Sequence, residues 1–383
     1  MNRTTLFDPL PLGALTLPNR VIMAPMTRMR AKMPGQIPWE LNAEYYRQRA
    51  GAGLIISEAT PVSPRGHGYF DTPGIHTAAQ AGGWRLVTKA VHQSGGRIFL
   101  QLWHVGRQSH NDLQPDGELP VAPSAVASGC QSAVAPGVLK DHPVPRALET
   151  REIPAVVEDF RRGAELAKHA EFDGVEIHGA NGYLIEQFLT DGANRRTDRY
   201  GGPVANRARF LWEVIEAVSS VWPPQRVGLR LSPANTFGGT NDSNRLATFS
   251  YVVRELNRFN LAYLHLVEPR VSGDNDALTI DASLASRVFR PLLNGDTRLI
   301  SAGGHTRESG SLALVSGNAD AVAYGRKFLA NPDLPRRFAA DAPLNPAYRE
   351  TFFGGGAHGY TDYPAMPQGG VPGAHTPARP LAL

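Results

Sequence analysis

Residues 157–183 of this 383-residue chain read VEDFRRGAELAKHAEFDGVEIHGANGY. The apolar residues of the first half stand three or four positions apart, at Val157, Phe160, Ala164 and Ala167. This spacing places one apolar stripe along an α-helix. Asp173 and Gly174 interrupt the pattern, and Gly174–Ala180 is an apolar run with the length of a buried parallel strand. The stretch therefore predicts one helix that leads the chain into one strand.

The same alternation of apolar runs and amphipathic stretches covers most of the chain. The strand-like runs are Val21–Met26, Gly53–Ala59, Arg97–Trp103, Gly174–Ala180, Val227–Pro233, Tyr263–Pro269, Arg298–Gly304 and Ala321–Arg326. Two further helical patterns are Phe210, Val214, Ala217, Val221 and Phe249, Val252, Leu256, Phe259. Eight strand–helix units are the number that closes a barrel. A doubly wound sheet needs a glycine-rich dinucleotide fingerprint after an early strand, which this sequence lacks. We therefore predict an α/β fold, a single (β/α)8 TIM barrel domain over residues 1–383.

Two segments exceed a minimal barrel. Residues 104–150, between the third strand and its helix, are rich in Pro, Gly, Ala and Ser and far longer than a usual connection. Long barrel loops are often functional lids, and a tolerated surface insertion is the alternative. Residues 345–383 form a C-terminal tail that we expect to wrap the barrel and then fray.

Composition limits the class of protein. Hydrophobic residues make up 42% and charged residues 19% of the chain, as in an ordinary globular protein. The net charge is +4, and the arginines are spread along the sequence rather than concentrated on one helix or tail, so we expect no nucleic-acid partner. A single cysteine, Cys130, excludes an internal disulfide, a multi-cysteine zinc site and a cysteine-ligated iron–sulfur cluster. We predict no metal site.

The sequence also gives expectations about location. It contains no uncharged apolar run of about 18 residues, the length that predicts a membrane span. Its start carries Asp8 and several prolines where a secretory signal needs an apolar segment. We expect a cytoplasmic enzyme without a membrane partner, as a monomer or a homodimer.

The end of the fourth strand carries a group of polar residues. In a barrel, the active site is built at the carboxyl ends of the strands and on the loops that follow. Alternation points Glu176 and His178 into the barrel, and Asn181 and Tyr183 follow on a turn that contains glycine. An imidazole, an amide and a phenol at one point suit a substrate carbonyl or nitro oxygen, with Tyr183 as a proton donor. A purely structural histidine is the alternative.

Alternation also points Arg230 of the fifth strand inward. A buried arginine needs an anionic ligand or a carboxylate as its partner. The carboxylates that lie late in strands are Glu58, Glu176 and Glu268. The third strand places Gln101 near its end, followed by Trp103 and His104.

The seventh and eighth strands end in Gly303-Gly304 and Gly325-Arg326. Loops after these two strands are the usual phosphate site of the fold, because glycines let backbone N–H groups approach the oxygens. Arg326 adds a charge-assisted hydrogen-bond donor. Glycine pairs also make simple turns, but their presence after both strands predicts a ligand that carries a phosphate.

Several segments spread over the chain form a recognisable series. They are Leu6–Leu10, Asn19–Val21, Ala24–Arg28, Gln101–Arg107, His178–Leu184, Arg196–Gly202, Asn206-Arg207, Gly325-Arg326 and Asn331–Leu334. In this order, they resemble the old yellow enzyme family of FMN-dependent ene-reductases, nearly from end to end.

The resemblance implies that the protein binds FMN tightly and without a covalent bond. The implied cofactor-binding residues are Pro25, Met26, Thr27, Ala59, Gln101, His178, Arg230, Gly303, Gly304, Gly325 and Arg326. Thr27 is expected at the flavin O4 side, Gln101 at the pyrimidine edge and Arg230 near N1 and O2. Gly304, Gly325 and Arg326 are expected around the phosphate.

The resemblance also implies a reaction, the reduction of activated alkenes such as α,β-unsaturated carbonyls, maleimides and nitroalkenes. NADPH or NADH would reduce the flavin, whose N5 then delivers hydride to the β-carbon. His178 and Asn181 would bind the substrate oxygen, and Tyr183 would protonate the α-carbon. The implied substrate-binding residues are Trp103, His178, Asn181, Tyr183 and Phe353. Phe353 stands where relatives often carry tyrosine, which affects the substrate profile rather than the chemistry.

Two other classes of function remain as alternatives. A flavin-free sugar-phosphate isomerase or aldolase would share the phosphate site, and it would need Lys327 as a Schiff-base lysine or Glu58, Glu176 and Glu268 as metal ligands. A flavin-binding sensor would hold FMN without turnover, which the presence of His178, Asn181 and Tyr183 argues against.

Overall fold

A computed structural model of the chain describes residues 4–272, 275–276 and 281–367. Its centre is a closed barrel of eight parallel strands in which each strand pairs with the next along the chain and the last pairs with the first. The strands are β1 Val21–Met23, β2 Leu54–Pro61, β3 Ile98–Trp103, β4 Gly174–Gly179, β5 Val227–Leu231, β6 Tyr263–Val267, β7 Arg298–Ala302 and β8 Ala321–Tyr324. The predicted (β/α)8 barrel is confirmed.

Six of the predicted apolar runs continue past the carboxyl end of their strand. The run that begins at Val21 was expected to reach Met26, for example, and the strand ends at Met23. The residues beyond, such as Pro25 and Gly303, lie in rim loops and line a cavity instead of pairing with a neighbouring strand. Apolar and glycine residues serve both purposes, so sequence alone does not separate a strand end from a cavity wall.

Helices pack around the outside of the barrel. Within the described residues they are α1 Glu40–Gln48, α2 Ala78–Gln93, α3 Ile153–His169, α4 Leu184–Leu189, α5 Val204–Arg207, α6 Arg209–Ser219, α7 Arg245–Leu256, α8 Ser286–Phe289, α9 Arg307–Val315, α10 Arg326–Ala330 and α11 Leu334–Ala339. Helix α3 buries Phe160, Ala164 and Ala167 as predicted. Helix α6 buries Val218, whereas the expected Ala217 is only partly buried and Val221 follows the helix end. None of the described helices is both long and apolar enough to cross a membrane.

An N-terminal hairpin closes the bottom of the barrel. Its strands Leu10–Leu12 and Leu15–Leu17 pair antiparallel, and their leucines belong to the same buried cluster as the inward-facing barrel residues Ile56 and Tyr263. Gly13 makes the turn with φ of +53°, and a Cβ there would lie 2.1 Å from the Gln225 carbonyl oxygen. Sequence periodicity missed this hairpin, because strands of three residues are too short to show a pattern.

The loop after β3 carries a hairpin of its own. Its strands are Gln131–Ala135 and Val138–Asp141. The His142 ring ties the hairpin base, with Nδ1 2.6 Å from the Ser128 hydroxyl and Nε2 2.8 Å from the Ser132 hydroxyl.

Residues 345–367 of the tail return to the rim of the barrel. The buried Arg28 side chain donates from Nε to the Phe352 carbonyl and from Nη2 to the Gly359 carbonyl, both at 2.9 Å. The Tyr360 ring stacks on Tyr45 with centroids 4.1 Å apart. Residues 368–383, where we expect the tail to fray, lie outside the described residues.

Candidate active site

The carboxyl ends of the barrel strands open into a cavity of about 470 Å³. Every residue predicted to bind the cofactor lines it, and so do His178, Asn181, Tyr183 and Phe353. The strand ends and the loops after them therefore bring together side chains that are up to about 300 positions apart in the chain.

The floor of the cavity contains a buried polar network. The Gln101 side-chain amide donates to Glu176 Oε1 at 2.7 Å, and His265 Nδ1 lies 2.8 Å from Glu176 Oε2. Burial lowers the pKa of His265 in spite of the Glu176 charge, so the neutral ring donates from Nδ1. Burial also lowers the pKa of Arg230, and the Glu176 carboxylate opposes that shift. Arg230 therefore compensates the charge of Glu176, and its buried Nε has no hydrogen-bond partner among the described residues.

Glu58 and Glu268, the other two carboxylates considered as partners of Arg230, lie outside this network. Glu58 accepts hydrogen bonds from the Arg28 amide at 3.1 Å and from the Tyr46 hydroxyl at 3.3 Å. A shift in strand register between Ile56 and Ala59 changes the alternation of β2, which turns Glu58 away from the barrel interior. Burial raises the pKa of Glu58 to about 7.

Glu268 is held by two serines, accepting from the Ser301 hydroxyl at 2.6 Å and from the Ser286 hydroxyl. Glu58, Glu176 and Glu268 thus sit in three separate hydrogen-bond networks. The described residues contain no group of three side chains that could hold a metal ion.

The glycine-rich wall lies where the phosphate site was predicted. Gly303 and Gly304 have φ of +108° and +65°, a region of backbone conformation that favours glycine. Gly325 follows β8, and the neighbouring Arg326 and Lys327 also line the cavity. Glycine turns beside cationic side chains can offer both backbone N–H groups and charge to a phosphate.

His178 presents a neutral hydrogen-bond donor to the cavity. Its ring is 3% exposed, and burial together with the nearby Arg230 and His265 lowers its pKa well below the usual value. Nδ1 accepts from the Ala180 amide at 3.3 Å, which leaves the proton of the neutral ring on Nε2. Asn181 follows on the turn, and its side-chain amide makes no hydrogen bond to any described residue. Both groups are therefore available to an acceptor in the cavity.

Tyr183 belongs to an aromatic cluster at the same wall. Its hydroxyl lies 3.3 Å from the Tyr69 hydroxyl, and its ring meets Trp103 edge-on with centroids 4.9 Å apart. Burial raises the pKa of Tyr183 well above its usual value, and the nearby Tyr69 hydroxyl raises it further. The phenol is therefore protonated at neutral pH.

Trp103 does not line the cavity, in contrast to its expected contact with substrate. Its side chain is fully buried behind the wall, stacked against His178 at 6.3 Å and against Tyr69 at 6.0 Å between ring centroids. Trp103 forms a buried cluster with Ala59 and Val105, and Tyr69 and Tyr183 pack against that cluster, so its ring supports Tyr183 rather than reaching the opening.

Several residues that line the cavity were not predicted from the sequence. Among them are Tyr69, the hairpin residues Gln131, Ala133 and Leu139, and Phe352 of the tail. Each lies on a segment whose path over the rim depends on tertiary contacts, and no local pattern marks it. Phe353, which was expected, lies at the opening with 47% of its surface exposed.

A match to a known family covers most of the chain. A profile of the NADH:flavin oxidoreductase / NADH oxidase family matches residues 5–345. The chain belongs to this family, the old yellow enzyme family. Its similarity to "12-oxophytodienoate reductase 1" of Oryza sativa subsp. japonica is 47% identity over 367 residues, covering 94% of this chain and 93% of the relative.

Solved structures of old yellow enzyme relatives share the fold. "Morphinone reductase" is 50% identical, with a TM-score of 0.89, covering 95% of this chain and 97% of that one. The old yellow enzyme homologue from Zymomonas mobilis is 42% identical, with a TM-score of 0.90, covering 95% of this chain and 100% of that one.

This old yellow enzyme is an FMN-binding oxidoreductase, which sets aside the flavin-free isomerase or aldolase alternative. The cavity residues fit FMN. The unpartnered Nε–H of Arg230 can donate to the flavin edge, and the backbone of Gly303 and Gly304, which has positive φ and carries no Cβ, can approach the phosphate. Gln101 is fixed by Glu176 at the cavity floor, where it can meet the ring.

Proposed function

We propose that this old yellow enzyme reduces activated alkenes, namely α,β-unsaturated carbonyls, maleimides and nitroalkenes, with NADPH or NADH as the electron donor. The observation that carries the proposal is the meeting of His178, Asn181 and Tyr183 in the cavity that also holds Arg230 and the glycine wall. FMN, when bound, supplies the hydride from N5 to the β-carbon. The relatives named as reductases of 12-oxophytodienoate and morphinone support this reaction class, and the morphinone reductase structure in complex with tetrahydroNAD supports a nicotinamide donor.

In this proposal, His178 and Asn181 bind the electron-withdrawing oxygen of the substrate. A neutral Nε2–H and a side-chain amide N–H both donate to the oxygen, and their hydrogen bonds strengthen as negative charge builds on it. The neutral state of His178 matters because a charged ring would also place a proton on Nδ1, which would oppose the Ala180 amide that now donates to it. The pair lowers the barrier without transferring a proton.

Tyr183 is the proposed donor of the proton to the α-carbon. Its raised pKa keeps it protonated at neutral pH, and its position beside His178, with ring centroids 5.0 Å apart, brings the hydroxyl near the oxygen-binding pair. The edge-on contact with Trp103, with ring centroids 4.9 Å apart, supports the Tyr183 ring from behind. The hairpin residue Leu139 and the tail residue Phe353 add exposed apolar surface to the cavity lining, which favours apolar substrates.

A Tyr183→Phe variant tests this assignment. We expect it to slow alkene reduction by about 10²–10⁴-fold, the usual contribution of a general acid, with little change in flavin reduction by NADPH. The two half-reactions are measured separately by anaerobic stopped-flow absorbance of the flavin. Tyr348→Phe, which removes a half-exposed hydroxyl outside the cavity, is the matched control.

Equal slowing of both half-reactions would reassign Tyr183 to a general structural role. A wild-type protein that binds FMN and accepts electrons, but reduces none of the enones, maleimides and nitroalkenes, would instead support the hypothesis of a flavin-binding sensor.

A further inference from the structure

The turn that carries Asn181 and Tyr183 is built on two left-handed residues. Asn181 and Gly182 have φ of +57° and +78°. Asparagine and glycine are the residues that adopt this region most readily, so the local sequence favours the turn, and contacts with its surroundings fix its position. At Gly182 a Cβ would lie 2.3 Å from the Phe237 carbonyl oxygen, so the turn is also tightly packed.

Side chains bind all four polar backbone atoms of these two residues. The contacts are the Asn181 amide to Ser232 Oγ at 2.7 Å, Gln108 Nε2 to the Asn181 carbonyl at 3.0 Å, the Gly182 amide to Glu186 Oε2 at 2.8 Å and Gln187 Nε2 to the Gly182 carbonyl at 2.8 Å. The Ser232 hydroxyl in turn donates to the same Glu186 oxygen at 2.8 Å. The Glu186 carboxylate therefore holds both backbone N–H groups of the turn, that of Gly182 directly and that of Asn181 through the Ser232 hydroxyl.

Glu186 is an unusual residue for this position. It is completely buried, and its other oxygen, Oε1, has no hydrogen-bond partner among the described residues. Burial raises its pKa to about 7, while its hydrogen bonds and the charge of Arg245 partly oppose that shift. A buried carboxylate with one unsatisfied oxygen destabilises the folded state relative to a well-packed apolar residue. Its presence therefore indicates a role other than packing.

A simpler role is to cap a helix. Glu186 lies in the first turn of α4, where an acidic side chain commonly accepts a backbone N–H that precedes the helix. A cap does not need Ser232, which lies just after β5 on the other side of the turn. Glu186 Oε2 accepts from both Gly182 and Ser232, so it links the turn to the end of β5. A helix cap alone does not explain this link.

We propose that Glu186, acting with Ser232, is a positioning residue that fixes the Asn181–Tyr183 turn. In this position the side-chain amide of Asn181 and the hydroxyl of Tyr183 reach the substrate together. The inference rests on the proposed function, since it assigns Glu186 to the oxygen-binding and proton-donating side of that reaction. Glu186 touches neither substrate nor cofactor in this account.

The test uses the FMN-loaded protein and the variants Glu186→Gln and Ser232→Ala. Binding of a simple phenol, a mimic of the enolate, is followed by the change in flavin absorbance, and the two half-reactions are followed separately. We expect each variant to weaken phenol binding and to slow alkene reduction by about tenfold, the usual effect of one hydrogen bond to a charged group. FMN content and the rate of flavin reduction by dithionite are expected to stay at the wild-type level.

Two controls separate positioning from a general loss of structure. Glu216→Gln makes the same substitution on a glutamate that is 62% exposed, and it is expected to behave as the wild type. In an Asn181→Ala background, Glu186→Gln is expected to weaken phenol binding by much less than tenfold. The side-chain amide of Asn181, which Glu186 is proposed to position, is already absent in that background.

Phenol binding and alkene reduction at wild-type level in both variants would overturn the inference. A lower melting temperature with unchanged phenol affinity would assign Glu186 to the helix cap alone. If Glu186→Gln does not fold, the phenol affinity and the rate of alkene reduction of Ser232→Ala test the inference instead. Failure of the wild-type protein to reduce any activated alkene would count against the proposed function, whereas the phenol affinities would still test the role of Glu186.

Discussion

Replacing Asn181 by alanine is expected to slow alkene reduction about 10²–10³-fold, which corresponds to about 2.7–4 kcal/mol of lost transition-state stabilisation. The Asn181 side chain makes no hydrogen bond within the described residues, so its removal deletes the proposed donor to the substrate. Alanine tolerates the left-handed backbone of this position less well than asparagine, so the melting temperature and FMN content are measured alongside. His178→Ala is expected to have an effect of similar size. It also removes a ring that packs on Trp103 and Tyr183, which makes Asn181→Ala the cleaner of the two variants.

The measurement is the rate of flavin reoxidation by a cyclic enone, together with the dissociation constant for a phenol. Asn294→Ala, at an exposed position outside the cavity, is the matched control. The double variant His178→Ala/Asn181→Ala is expected to lose less than the product of the two single effects, because donors to one oxygen act as a unit. Wild-type phenol affinity and wild-type rate in both single variants would remove these residues from the reaction.

Arg230→Met is expected to destabilise the fold by up to about 3–5 kcal/mol, because the buried Glu176 carboxylate loses the nearby cation that offsets its charge. The Glu176 carboxylate would then keep its neutral neighbours, namely the Gln101 amide, the His265 ring and the nearby Tyr263 hydroxyl. The same change removes the unpartnered Nε–H that the cavity offers to the flavin, so FMN affinity is expected to fall about tenfold or more. Urea unfolding of the FMN-free protein and titration with FMN measure the two effects separately.

The double variant Arg230→Met/Glu176→Gln separates charge compensation from cofactor binding. Neutralising Glu176 removes the unpaired charge, so stability is expected to return toward that of the wild type while FMN affinity stays low. An Arg230→Met protein with full stability would show that Glu176 does not depend on Arg230. A variant with unchanged FMN affinity would place the flavin away from Arg230.

The barrel could be predicted from the sequence because each strand is a short apolar run bounded by helical patterns. The alternation within β4 and β5 was enough to point His178 and Arg230 inward, and both line the cavity. A position late in a strand did not by itself identify the partner of Arg230, because Glu58 is bound by the Arg28 amide and the Tyr46 hydroxyl, next to an irregularity in β2. A register shift of this kind leaves no mark in an apolar sequence.

The remaining parts of the site depend on how distant segments fold over the rim. Trp103 and Tyr69 are both aromatic residues near strand ends, and only the tertiary structure shows that Tyr69 lines the cavity while Trp103 supports it from behind. The hairpin at residues 131–141 mixes polar, small and apolar residues without a clear periodic pattern. Its contribution to the cavity follows from contacts such as the Phe70 amide to the Ala133 carbonyl at 3.0 Å.

The central claim is that this cavity holds FMN and passes its hydride to an activated alkene. The most direct measurement reduces the purified yellow protein anaerobically with NADPH or NADH, mixes it with a cyclic enone and follows both the flavin absorbance and the product. We predict one equivalent of reoxidised FMN and one equivalent of the saturated ketone per equivalent of reduced protein. A protein that releases no FMN on denaturation, or a reduced flavin that stays reduced in the presence of the enone, would contradict the account.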